Sequence, residues 1–268
     1  MGFRTLVKSF LFKRGYHLLR RYYYDFEGNK SIVKIFKMAQ IDLDSLIILD
    51  VGANIGQSVD RFRGFSDKAQ IYSFEPNPEV FQKLIEKAEK DKYLKCFNIG
   101  VGSQETTLKF NIQPDSGASS FYKVNTNGEA FKLSNTKEAL KNHNKTTLKQ
   151  DVKNNTEIEV TVRTLDSVFM DEMPGLIHLL KIDTQGYEEE VLRGASSILR
   201  RTLIVEAEVI FSDAYEKSSS LHGIQSILEV HGFVLWDIPY IGKFPDENFD
   251  RINFIDGLFV NLKLLNSI

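Results

Sequence analysis

Short, nearly continuous apolar runs alternate along this chain with longer stretches whose apolar residues return every three or four positions. Leu46–Leu49 is the first such run. It ends in a carboxylate, Asp50, followed by a glycine turn and a polar helix start at Gln57 and Ser58. Ile71–Phe74 is the second, and it ends in Glu75. Pro76 and Pro78 close that strand and open a helix over Glu79–Lys90, with Val80, Phe81, Leu84 and Ile85 on one face. Leu94–Val101 reads as the third strand. Buried runs separated by amphipathic helices predict an α/β domain whose parallel sheet carries helices on both faces.

From Gly102 to about Pro174 the pattern changes. Thr107–Ile112 and Ile158–Val162 alternate apolar and polar residues, which predicts a hairpin-like pair of half-buried strands. Between them Gly117–Phe121 (GASSF) and the Asn-, Thr-, Lys- and Ser-rich stretch Asn125–Asn155 read as exposed loop, with one helix over Lys137–Lys141. Residues 103–174 are therefore expected to form a lid or substrate-facing insertion, since their apolar content is too low for a separate core. The winding resumes at Ile177–Ile182, which ends in Asp183 and leads through Gln185, Gly186 and Tyr187 to a helix over Glu188–Arg193. Leu203–Val205 is the next strand, ending in Glu206 and Glu208. Leu221–His231 is amphipathic and stops at Gly232. Phe233–Trp236 and Phe254–Asn261 supply the last two strands, with Gly242 and Pro245 in the loop between them.

The first 40 residues stand apart from the domain expected over 41–268. Arg4, Lys8, Lys13, Arg14, Arg20 and Arg21 face no acid before Tyr22, and Phe3, Leu6, Val7, Phe10 and Leu11 recur at helical spacing. A basic amphipathic segment over residues 1–24 either packs its apolar face on the domain or rests on an anionic membrane surface, and both readings stay open. A short helix over Ile32–Ala39 leads to the first strand.

Composition narrows the picture further. A chain of 268 residues with 42% apolar and 26% charged residues can bury a sizeable core. A net charge of −2 argues against a nucleic-acid partner. The single cysteine, Cys96, excludes an internal disulfide and a cysteine-based zinc site, and suits a reducing, cytoplasmic compartment. No apolar run reaches the roughly 18 residues of a spanning helix.

The candidate chemistry lies at the strand ends. Asp50, Glu75 and Asp183 each terminate a buried run, with Glu206 as a fourth, and open parallel sheets bind ligands at that edge. The turn after Asp50 is no P-loop, because three residues separate Gly52 from Gly56 and no Lys-Ser/Thr follows. It also lacks the dinucleotide fingerprint, since Asn54 and Gln57 stand where glycines belong. What remains is Asp-x-Gly-x-x-x-Gly, in which Gly52 can turn tightly and Asn54 tolerates positive φ. Glu75, at the end of the adjacent strand, can accept two hydrogen bonds from a ribose diol.

LDVGANIG, SFEPNPEVFQKL and LLKIDTQGYEEEVLRGA resemble motifs of the FkbM-type methyltransferases, as do GASSF, the run Arg163–Ser167 and IDGLFV at Ile255–Val260. The resemblance spans roughly Leu46–Val260. It implies a Rossmann-like class I methyltransferase fold, a seven-stranded mostly parallel sheet with an antiparallel last strand. It also implies S-adenosyl-L-methionine as cofactor and O-methylation of a carbohydrate, glycolipid or similar small hydroxylated acceptor. Carried over, Gly52, Ala53, Asn54 and Gly56 would face the methionine portion, and Asp50 would orient that turn or the amino group. Glu75 and Pro76 would hold the ribose. Adenine would lie near Gly100–Ser103, and Asp183 would stand beside the transferred methyl.

The acceptor must lose a proton, and the candidate bases are Asp183, Glu206, Glu208 and His222, with Asp183 favoured. Asp183 could instead hold the cofactor's amine or cap the helix after it, and His222 could simply open its own helix. No metal is required, although Asp183 with Glu206 could supply two ligands. Two other readings remain. An N-methyltransferase of nucleobases would carry an Asn/Asp-Pro-Pro-aromatic run where this chain has Asp183–Tyr187. A non-catalytic binding module would be free to lose Gly52, Gly56 and Glu75, all of which are present.

Overall fold

The computed structural model describes residues 29–134, 156–172, 174–244 and 251–268. The basic segment over residues 1–24, the helix expected over Lys137–Lys141 and the loop position Pro245 lie outside the described residues.

Among the described residues ten strands form two sheets. The larger has the order β3-β2-β1-β7-β8-β10-β9, built from Ile47–Val51 (β1), Gln70–Phe74 (β2), Leu94–Phe97 (β3), Ile177–Ile182 (β7), Thr202–Ile210 (β8), Phe233–Lys243 (β9) and Ile252–Asn261 (β10). All its neighbours pair in parallel except β10, which runs antiparallel to both β8 and β9. This is the seven-stranded, helix-covered sheet expected from the resemblance, with the antiparallel last strand.

Strands β1, β7 and β8 are buried on both faces, which is why they read as unbroken apolar runs. Leu49, Val51, Leu180 and Ile182 enter one core layer, whereas Ile48, Leu179 and Ile204 enter the other. The helix over residues 29–38 contributes Ile32, Ile35 and Phe36 to that second layer, in one cluster with Leu46, Phe62 and Val260, so this helix is part of the core packing. Among the described residues no helix is long and apolar enough to cross a membrane.

The expected third strand, Leu94–Val101, divides. Leu94–Phe97 stays beside β2, then Asn98 donates its side-chain amide to the carbonyls of Glu75 (2.8 Å) and Pro76 (3.2 Å) and turns the chain out of the sheet. Gly100–Val101 (β4) joins Thr106–Ile112 (β5) and Thr156–Arg163 (β6) in a separate three-stranded sheet of order β4-β6-β5. β5 and β6 pair antiparallel, as the alternating patterns predicted.

Two strands outrun their expected ends. β8 continues past Val205 because Glu206 is a strand residue with a buried cationic partner, so the carboxylate does not mark a terminus. β9 continues past Trp236 to Lys243 at the sheet edge, where Pro239 costs no ladder bond. The site lies where the winding reverses, between β1, which leads outward to β2 and β3, and β7, which leads the other way.

Candidate active site

The glycine turn is set by close packing against β7. Gly52 has φ +81°, and a Cβ there would stand 1.9 Å from the carbonyl oxygen of Asp183. Only glycine fits that approach. The amides of Gly52 and Ala53 both donate to Phe74 O at 3.0 Å, tying the turn to the end of β2. Asn54 takes φ +48°, as its residue type allows. Gly56, at φ +82°, caps the helix Gln57–Arg63 from behind the turn, against Leu84 and Lys87.

Glu75 fastens the same turn from below. Its Oε2 accepts from Asn54 N at 2.9 Å and its Oε1 from Asn77 N at 2.8 Å. Burial pushes its pKa up to about 7 although both backbone bonds favour the anion. Each oxygen keeps a further lone pair for a ligand.

Under the turn, two rows of polar side chains cross one face of the sheet. In the lower row Asp50, Lys181 and Glu206 are register neighbours on β1, β7 and β8. Lys181 Nζ lies 3.9 Å from Asp50 and 3.2 Å from Asp183. Burial opposes its charge, but Asp183, Asp50 and Glu206 together outweigh that and raise its pKa. Asp50 is fully buried behind the cavity wall, where its side chain meets Lys181, Ser73 and Ser58. Burial pushes its proton affinity up, and Lys181 and Arg61 counter it.

Arg61 reaches down from its helix and holds both oxygens of Glu206 at 2.7 Å, with both side chains buried. This removes Glu206 as a free base and as half of a metal pair with Asp183: its two oxygens are committed to the guanidinium. His222 is also displaced from the catalytic set, because it is exposed on the first turn of the helix Leu221–Val230 and does not line the cavity.

The upper row holds Asp183, Glu208 and Asp256; the last two are register partners on β8 and β10. Gln185, in a left-handed conformation at φ +55°, joins the first two. Its Nε2 donates to Asp183 Oδ1 (2.9 Å) and Glu208 Oε2 (2.7 Å), and its Oε1 accepts from Tyr215 OH (3.1 Å). Glu188 pins this loop, since its Oε1 accepts from Thr184 N, Thr184 Oγ1 and Gly186 N. Burial raises the pKa of Glu188 to about 7 and that of Asp256 to about 8, and drives Glu208 well above the carboxylate range with help from Asp183 and Asp256.

The insertion closes the site from above. Ser116 Oγ donates to Asn54 Oδ1 at 3.0 Å, and buried Ser120 donates to Gln185 O at 2.8 Å. Phe121 packs between Phe110 and Tyr187, with ring centroids 5.1 and 4.8 Å away. Tyr215 OH also lies 2.9 Å from Ala118 O and shares its single proton between that carbonyl and Gln185 Oε1, so one phenol touches both the roof and the floor loop. GASSF is thus a packed roof rather than open loop.

Between floor and roof runs a cavity of about 1020 Å³. Ile99, Val101, Phe110 and Phe121 make an apolar end beyond β3, and Asp60, Arg61, Tyr240 and Phe254 stand at the other. Gly52, Ala53, Asn54, Glu75, Pro76 and Asp183 line its middle, whereas Asp50 and Gly56 stand behind the wall. Among the described residues no cluster of His, Cys, Asp and Glu is arranged to hold a metal. Several members of this site went unassigned in the sequence, Lys181, Arg61 and Gln185 among them. Lys181 and Arg61 did leave a signal, a charge among apolar neighbours that burial obliges to find a partner. Gln185 left none, because its role depends on backbone sign and on two strands far apart in sequence.

Several known proteins are similar to this chain. The 2-O-methyltransferase NoeI of Sinorhizobium fredii is 28% identical over 184 residues, covering 68% of this chain and 70% of that protein. The hexuronic acid methyltransferase AglP of Haloferax volcanii is 24% identical over 189 residues, covering 69% of this chain and 64% of that protein. A solved structure, methyltransferase FkbM from Methylobacillus flagellatus KT, is similar over 81% of this chain and 44% of that chain, with 17% identity and a TM-score of 0.46. The family model described as the methyltransferase FkbM domain matches residues 50–235, from the carboxylate before the glycine turn to the start of β9. This chain belongs to the FkbM methyltransferase family.

Proposed function

We propose that this protein is an S-adenosyl-L-methionine-dependent O-methyltransferase acting on a hydroxyl of a carbohydrate or glycolipid. The observation that carries the reading is Glu75, a carboxylate on the cavity wall at the end of β2, beside the glycine turn and across from Asp183. The cavity suits the cofactor in three places. The apolar end fits a purine, Glu75 can accept from a ribose diol, and Asp183 presents a carboxylate to an ammonium. The cofactor, when bound, supplies an electrophilic methyl group on a sulfonium.

The residues of the chain then have three tasks: to hold that group, to orient the acceptor oxygen in line, and to take its proton. Asp183 and Glu208, joined through Gln185, are the carboxylates on the wall for the last task. Tyr240 and Phe254, a tilted aromatic pair with centroids 5.6 Å apart, line the same cavity as these carboxylates. An aromatic face beside polar side chains suits the two-faced surface of a sugar ring. The printed activities of the relatives, 2-O-methylation and hexuronic acid methylation, support the same substrate class.

Two measurements test the reading. Calorimetry is expected to show binding of S-adenosylmethionine and S-adenosylhomocysteine. Mass spectrometry of surface glycans from cells with and without the gene is expected to show loss of a methyl substituent. Failure of both ligands to bind would overturn the cofactor, and unchanged glycans would overturn the acceptor class.

A further inference from the structure

The proposed reaction leaves a question of charge. Methyl transfer from a sulfonium removes a positive charge from the cavity and frees a proton from the acceptor. A base placed there should be neutral after the step and negative before it. Two carboxylates face the cavity at this level, and their surroundings differ.

Asp183 has both oxygens engaged. Oδ2 is 3.2 Å from the Lys181 ammonium and Oδ1 accepts from Gln185 Nε2. A carboxylate held between an ammonium and an amide has both of its oxygens already spoken for. Glu208 has one oxygen engaged, Oε2 with the same amide, and among the described residues Oε1 has no hydrogen-bond partner. Its surroundings are mostly acidic from every side: Asp183 and Lys181 on β7, Asp256 on β10, Glu188 on the following helix, and Tyr215 in the loop after β8. One row below, Glu206 is neutralised by Arg61. Crowded by like charge and burial, Glu208 holds its proton far more tightly than an ordinary glutamate.

Resting on the cofactor reading above, we propose that Glu208 is the proton acceptor, positioned by Gln185, and that the positive charge of the bound cofactor strips Glu208 of its own proton. Glu208 is then an anion only when the methyl donor is in place. In the transfer step Glu208 takes the proton of the acceptor hydroxyl while the oxygen pair forms the new O–C bond and the C–S pair returns to sulfur. Glu208 and the sulfur lose their opposite charges together, and the product thioether leaves no cation to keep Glu208 ionised. Asp183, with both oxygens engaged by Lys181 and Gln185, serves the amine.

Proton linkage tests this without any acceptor. Binding of S-adenosylmethionine and of S-adenosylhomocysteine is measured by calorimetry in two buffers of different ionisation enthalpy, across roughly pH 5–9. The wild type is expected to release more protons with the sulfonium than with the thioether within one pH window, approaching about one proton per ligand. Glu208→Gln is expected to abolish that excess and Glu208→Asp to retain it in a shifted window. Gln185→Leu removes the donor to Oε2, which favours the anion, and is expected to move the window to higher pH. Equal proton counts for the two ligands at every pH, an excess surviving in E208Q, or a window unmoved by E208D would each overturn the assignment. If neither ligand binds, the cofactor reading fails first and takes this one with it.

Discussion

A methyl group added at residue 52 would meet the carbonyl of Asp183 at 1.9 Å, on a backbone already at φ +81°. Neither atom can yield, because Asp183 N is itself bonded to Val51 O at 3.0 Å. Gly52→Ala is expected to cost more than about 3 kcal/mol in denaturant unfolding, the range of a forced backbone rearrangement. A two-state melt within 1 kcal/mol of wild type, on the order of an ordinary surface change, would contradict the packing argument. Glu75 carries a different kind of constraint, because its two oxygens already secure Asn54 and Asn77. Glu75→Ala is expected to weaken S-adenosylhomocysteine binding by roughly 1–3 kcal/mol. With its pKa raised to about 7, the stronger acceptor form of Glu75 appears only as pH rises, so affinity should climb through neutrality. A flat affinity over that window would remove the ribose assignment.

Among the elements, the segment from Lys181 to Glu188 packs the most chemistry into the fewest residues. Lys181 neutralises the lower row, Asp183 and Gln185 reach the cavity, Gly186 turns at φ +98° against Ser218, and Glu188 fixes the loop with one oxygen. The sequence made the strand, the carboxylate and the glycine of this block legible, because burial periodicity and turn chemistry are local. It could not show Gln185 bridging to Glu208, nor Glu206 turned away to Arg61, since those depend on register between β7, β8 and a distant helix. The roof hid for a related reason. GASSF is polar and small, yet it folds over the cavity because Ser120 and Tyr215 find partners on the floor loop. Tyr215→Phe removes two bonds from one phenol and is expected to cost about 1–2 kcal/mol of stability. It should also raise hydrogen exchange at Ala118 and its neighbours; unchanged exchange there would mean the roof is held by Ser116, Ser120 and Phe121 without the phenol.

For the whole molecule, buried charge sets both the stability and its pH dependence. Arg61→Ala leaves the buried Glu206 without its hydrogen-bonded partner and is expected to cost about 3–5 kcal/mol, whereas replacing both by apolar residues should recover most of it. A double replacement as damaging as the single one would show that packing, not charge, dominates there. Glu75, Glu188 and Asp256 bind protons in the fold up to about 7, 7 and 8, well above their usual values of 4.5, 4.5 and 3.8. The native state therefore holds more protons than the unfolded chain between those limits. Stability is greatest on the acid side of this window and falls as pH rises through it. Denaturant midpoints measured from about pH 5 to 8 should decline, and Glu188→Gln should flatten the slope. A midpoint that rises over this range would mean the acidic rows are better compensated than their contacts indicate.

Cys96 lies on β3, the outermost strand beside β2, and burial has pushed its thiol up to about 11. It is also the chain's single sulfhydryl. At neutral pH little thiolate is present while β3 stays docked, so alkylation of this half-buried thiol is slow there and speeds up when that edge opens. The protein thus carries a built-in chemical clock: the rate at which a maleimide captures Cys96 reports how often the β3 edge detaches, and each variant described above can be timed against it without adding a label.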